Sequence, residues 1–78
     1  MRKRFFEDAD VQRAILAAIA AKPTGTITNA ELRLAVANAL ATEPTPAYLR
    51  AFRRNVRRMI LSGQLLGSDP LNGVLRAK

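Results

Sequence analysis

The stretch Thr45-Pro-Ala-Tyr-Leu-Arg-Ala-Phe-Arg-Arg-Asn-Val-Arg-Arg-Met-Ile-Leu-Ser-Gly63 decides the fold. Thr45 followed by Pro46 is a helix start: the hydroxyl can cap a free backbone N–H, and proline suits the first helical position. Arginines then stand at 50, 53, 54, 57 and 58, at i, i+3, i+4, i+7 and i+8, one face of an α-helix. Leu49, Phe52, Val56, Met59 and Ile60 make an apolar stripe on the same helix, and Ser62-Gly63 stops it near Leu61. No aspartate or glutamate lies between Pro44 and Ser68. Crowded like charges cost a helix a few tenths of a kcal/mol for each i,i+4 pair, so the stripe points to an external polyanion.

Upstream, residues 8–21 read as a helix with Val11, Ala14, Ile15, Ala18 and Ile19 on its inner face. Asp8 and Asp10 suit the positive end of its dipole, and Lys22-Pro-Thr-Gly25 ends it. Thr26-Ile27 is a short extended piece. Thr28-Asn-Ala-Glu31 is a capping-box pattern that opens a second helix to about Ala41, with Leu32, Ala35, Val36, Ala39 and Leu40 facing inward. Downstream, strands near 64–67 and 73–76 flank turn residues at 68–72 and form a hairpin. The Leu65/Leu66 and Val74/Leu75 pairs are expected to join the sheet to the core.

The chain has 78 residues and a net charge of +7, from ten arginines and three lysines against six acids. That length suits one domain, 1–78, with 1–7 as a flexible basic arm. A core this small leaves a margin of only a few kcal/mol. With no cysteine and no histidine, thiolate metal sites, disulfides and the commonest general base are excluded. No nucleophile–base pair or metal cluster is visible, so an enzyme, a cofactor and a small-molecule substrate are not expected. The acids Glu7, Asp8 and Asp10 interrupt the basic start, and no long apolar run follows. The expectation is a cytoplasmic protein, nucleoid-associated when bound to DNA, without signal peptide or membrane span.

The order helix, short strand, helix, turn, helix, hairpin resembles the winged helix-turn-helix family. The resemblance covers nearly everything after residue 8. It is carried by Thr26-Ile-Thr-Asn-Ala-Glu-Leu32, by Thr45-Pro-Ala-Tyr-Leu-Arg50 and by Met59-Ile-Leu-Ser-Gly-Gln-Leu65. It implies a mainly α fold with a small β-hairpin: three helices plus a C-terminal wing. It also implies a transcriptional regulator whose third helix, 45–61, enters the major groove of duplex DNA with its N-terminal residues at the base edges. The size is that of compact phage or mobile-element regulators, and pairing of half-sites would favour a homodimer.

Guanidinium groups match phosphates and the O6/N7 edge of guanine. The wheel centres the basic face on Ala47, Arg50, Arg54 and Arg57, with Ala51 and Arg58 on one flank. Arg53 lies on the other flank, by Ile60. Small Ala47 and Ala51 would let the backbone approach the groove. Tyr48, Arg50 and Arg54 are expected to face bases, and Arg57 and Arg58 phosphates. Thr45, Ala47, Arg53 and Arg76 complete the candidate DNA-binding set. Five neutralised phosphates would give a slope of log K against log salt of about −4 to −5.

Other readings stand beside this one. The stripe could be a solvated face, or the chain could be a protein-interaction winged helix docking its arginines on an acidic protein. The wing tip, Ser68-Asp-Pro-Leu-Asn72, favours the latter, because it has no Lys or Arg. Arg2-Lys-Arg4 reads as a solvated end or a minor-groove arm. Phe5 and Phe6 read as core packing or a dimer contact, and Asp8 and Asp10 as a helix start.

Overall fold

The computed structural model describes residues 6–69 and 73–77. The arginine-lysine arm, Phe5, the wing-tip residues 70–72 and Lys78 lie outside these, as do the side chains of Ser68 and Asp69. Three helices, α1 (Asp8–Ala20), α2 (Asn29–Ala39) and α3 (Pro46–Leu61), accompany three strands, β1 (Thr26–Thr28), β2 (Leu65–Asp69) and β3 (Val74–Ala77). The result is mainly α with a C-terminal β-hairpin wing, a winged helix-turn-helix layout.

Each helix boundary has a local chemical cause. Thr28 Oγ1 accepts from the Glu31 amide at 3.2 Å, and Thr45 Oγ1 from the Tyr48 amide at 3.2 Å. Caps of this kind contribute about 1 kcal/mol each. The Glu31 carboxylate takes Lys22 Nζ at 2.7 Å, which ties α2 to the turn after α1 and holds the Glu31 carboxyl below its usual range. At the end of α3 the Gln64 amide donates to Met59 O and the Gly63 amide to Ile60 O, while Gly63 takes φ +83°. This is the Schellman arrangement, in which glycine supplies the left-handed turn.

α2 ends the same way without a glycine. The Thr42 amide donates to Ala37 O and the Ala41 amide to Asn38 O, and Ala41 sits at φ +53°. The helix therefore stops at Ala39, two residues before the expected end. Its inner face is Leu32, Val36 and Ala37, whereas Ala35 is half-buried and Ala39 exposed. Ala37, not Ala39, completes the packing.

The extended piece before α2 becomes an edge of a sheet. β3 lies in the middle of the order β1-β3-β2 and pairs antiparallel with both neighbours. Thr26 faces Arg76, Ile27 faces Leu75, and Leu66 faces Arg76 from the other side. Alternation sends Ile27, Leu65 and Leu75 inward and leaves Leu66 and Val74 half-buried on the outer face. One residue of each expected hairpin pair therefore reaches the core. The register shifts between Gly67 and Asp69.

α1 packs on both other helices and on β3. Val11, Ile15 and Ile19 meet Leu32, Val36, Phe52 and Met59 in one cluster. Phe6 joins it at 3% exposure, edge-on to Tyr48 at 5.8 Å between ring centroids, so the flexible-arm reading of 1–7 does not hold for Phe6.

Candidate nucleic-acid interface

The buried face of α3 consists of Tyr48, Ala51, Phe52, Asn55, Val56 and Met59. Relative to the stripe read from sequence, the helix is turned toward Tyr48, Ala51 and Asn55. Leu49 is only partly buried, and Ile60 is 42% exposed.

Two expectations about the groove are corrected by this rotation. Tyr48 is fully buried, edge-on to Phe6 and tilted against Phe52, and its hydroxyl donates to Arg33 O on α2 at 2.6 Å. Burial pushes its phenol up to about 12. It is a core tyrosine whose polar end joins α3 to α2, and it has no surface to offer a base. Ala51 is likewise buried, so only Ala47 among the small residues is open to close approach.

The five arginines separate into two groups. Asp8, in the first turn of α1, reaches across to α3. Its Oδ1 accepts from Arg54 Nη2 at 2.9 Å and from Asn55 Nδ2 at 3.0 Å, and its Oδ2 from Arg58 Nη1 at 2.7 Å. The Asn55 amide, then Arg54, holds the Asp8 carboxyl below the usual carboxylate range. Asn55 is fully buried and fully employed. Its Oδ1 accepts from Gln12 Nε2 at 2.9 Å, and its Nδ2 also donates to Ala51 O at 2.9 Å. Arg54 and Arg58 keep about half their side-chain surface in solvent, but each already has a carboxylate.

Arg50, Arg53 and Arg57 are exposed, and among the described residues none has a carboxylate partner. Arg50 and Arg57, two turns apart, stand opposite the buried residues Tyr48, Phe52, Asn55 and Met59. Arg53 and Arg57 border an apolar groove with Ile60 and Leu61. Thr45 is occupied as the cap of α3, and Ala47 is exposed in its first turn. Arg76 lies on the outer face of β3, between Thr26 and Leu66, on a different element from the helix stripe.

Asp8 and Asn55 are the site residues missed in the sequence. Asn55 had a signal, because it stands at i+3 from Phe52 and i−4 from Met59, beside both on the apolar side of the wheel. Asp8 had only the general one that three of the six acids cluster at one end of an arginine-rich chain. Among the described residues no cluster of three or more acids is placed to hold a metal, and no helix is long and apolar enough to cross a membrane. Comparison with protein families, with characterised proteins and with solved structures finds no match to this chain.

Proposed function

We propose that this chain is a small DNA-binding protein of the winged helix-turn-helix kind, a transcriptional regulator that lays α3 in the major groove. The observation that carries the reading is the trio Arg50, Arg53 and Arg57: exposed, unmatched by carboxylates among the described residues, and on a capped helix whose opposite face is locked into the core. A rigid helix presenting guanidinium forks suits a duplex, because the groove admits one helix and the forks fit both phosphate and guanine. Arg50, nearer the N-terminus of α3, takes the base-reading role, with Ala47 giving clearance. Arg53 and Arg57 hold the backbone. Arg54 and Arg58 are secondary, since a phosphate must compete with Asp8 for them.

Titration of random-sequence duplex DNA over a salt series tests this. Arg50, Arg53 and Arg57 on three phosphates give a slope of log K against log salt near −3, from about 0.9 per neutralised phosphate. Arg50→Ala with Arg57→Ala brings it toward about −1 by the same relation. Failure of the wild-type protein to bind at low salt ends the reading.

A further inference from the structure

An apolar groove of about 260 Å³ runs along the C-terminal half of α3. Phe52 and Val56, both buried, form its floor, and exposed Ile60 and Leu61 its rim. Arg53 and Arg57 border it, and Asn29 of α2 lines it from across. The described residues carry four exposed large apolar side chains, Leu16, Leu34, Ile60 and Leu61, and two of these adjoin here. Leu61, at 77%, is the most exposed of them. Apolar surface left open beside a cavity marks an interaction site more often than a scattered leucine does.

We propose that this groove docks an acidic amphipathic segment of a partner protein. A large apolar side chain of the partner enters between Ile60, Leu61 and the Phe52–Val56 floor. Its aspartates or glutamates, one helical turn away, meet Arg53 and Arg57. Charge complementarity selects this occupant. Arg53 and Arg57 are i,i+4 neighbours that repel each other and lack a carboxylate among the described residues, while Arg54 and Arg58 on the adjacent flank have Asp8. A segment presenting apolar anchors at i, i+3 or i+4 with acids beside them satisfies both halves of the site, as in helix-in-groove recognition. Nucleic acid satisfies only the arginine half, because phosphates gain nothing from the apolar floor. This inference does not rest on the DNA reading, and a partner seated here would compete with a DNA backbone for Arg53 and Arg57.

The test is a selection of random twelve-residue peptides displayed on phage against the intact chain. Anisotropy with the enriched peptides and amide-shift mapping follow. The expected peptides combine Asp or Glu with two large apolar residues at helical spacing, and shift the amides of Val56, Ile60 and Leu61. Ile60→Ser with Leu61→Ser lowers their affinity about tenfold or more. Leu34→Ser, an exposed control on α2, leaves it unchanged. A second selection against Arg53→Glu/Arg57→Glu turns the preference to Lys and Arg, which separates recognition from unfolding. Three outcomes overturn the proposal: no enriched consensus, peptides that map to another face, or rim substitutions that weaken duplex DNA binding while peptide affinity holds. The last assigns the groove to nucleic acid.

Discussion

Asp8 Oδ2 lies 2.7 Å from Arg58 Nη1, a contact between residues 50 apart in sequence. With the companion bond to Arg54, it gives both guanidiniums a carboxylate, so under the proposed DNA reading a phosphate must compete with Asp8 for them. Asp8→Asn removes that competing charge while its amide oxygen can still accept from Asn55. The variant is expected to bind duplex DNA more tightly at low salt. Its salt slope should steepen from about −3 toward about −4.5, as Arg54 and Arg58 become available. A slope equal to the wild type's would show that the two arginines play no part.

The same contact sets a pH dependence. The Asp8 pKa in the folded chain is below its ordinary value of 3.8, through Asn55 first and then Arg54. A depressed carboxylate pKa contributes stability that is present above the unfolded value and is lost as pH falls through the folded one. Thermal melts should therefore show the wild type above Asp8→Asn at neutral pH. The two midpoints should converge as pH falls below 3.8. A gap that persists in strong acid would exclude the carboxylate as its cause.

Tyr48 is the one tyrosine of the chain, which has no tryptophan, so tyrosinate absorbance reports on it alone. Its phenol is raised to about 12 by burial. The raised value stabilises the folded chain below the unfolded pKa of 10.0, and that stability is lost as pH rises toward about 12. Ionisation and unfolding should coincide in alkaline titration. Tyr48→Phe should lose about 1–2 kcal/mol of stability for the missing bond to Arg33 O, with DNA affinity unchanged in titration. A specific drop in affinity in a folded Tyr48→Phe would return the residue to the interface.

Asn55→Ala should cost about 2–3 kcal/mol in denaturant unfolding, because Gln12 and Asp8 lose a partner and a buried gap is left. A loss within ±0.5 kcal/mol, the usual range for surface substitutions, would mean that the polar junction between α1 and α3 is not a source of stability.

Ala41→Gly should stabilise the protein, because Ala41 adopts φ +53° and only glycine takes the left-handed region without penalty. The left-handed penalty of roughly 1–2 kcal/mol, less the extra unfolded-state entropy of glycine of about 0.4–1 kcal/mol, leaves a gain of about 0.5–1 kcal/mol, a rise of roughly 2–8 °C in Tm for a domain of this size. Calorimetry would show it directly, and a fall in Tm would mean that the Ala41 methyl contributes packing worth more than the strain.

The element order was legible because its punctuation is local. Thr45-Pro46, Thr28 with Glu31, Gly25 and Gly63 each act within a few residues of themselves. Ala41 shows where that reading stops, since nothing about an alanine announces a left-handed residue. The orientation of α3 was the larger error. Tyr48 and Asn55 have polar ends, and a wheel that sorts by polarity turns them outward. In the fold each polar end finds a partner on another helix, Arg33 O for one and Asp8 and Gln12 for the other. Tertiary hydrogen bonds of that kind leave no periodic trace. The division of the five arginines, two paired with Asp8 and three without a carboxylate among the described residues, is hidden for the same reason, because it depends on α1 crossing α3.

The central place of β3 in the sheet has a consequence for how the chain is made. β1 and β2 both precede it in sequence, and neither has a sheet partner until 74–77 leave the ribosome. The three helices supply most of the apolar cluster, whereas the sheet is complete only with β3 in place. A chain cut between Asp69 and Val74 would leave β1 and β2 without their shared partner, their edges open to pairing with other chains.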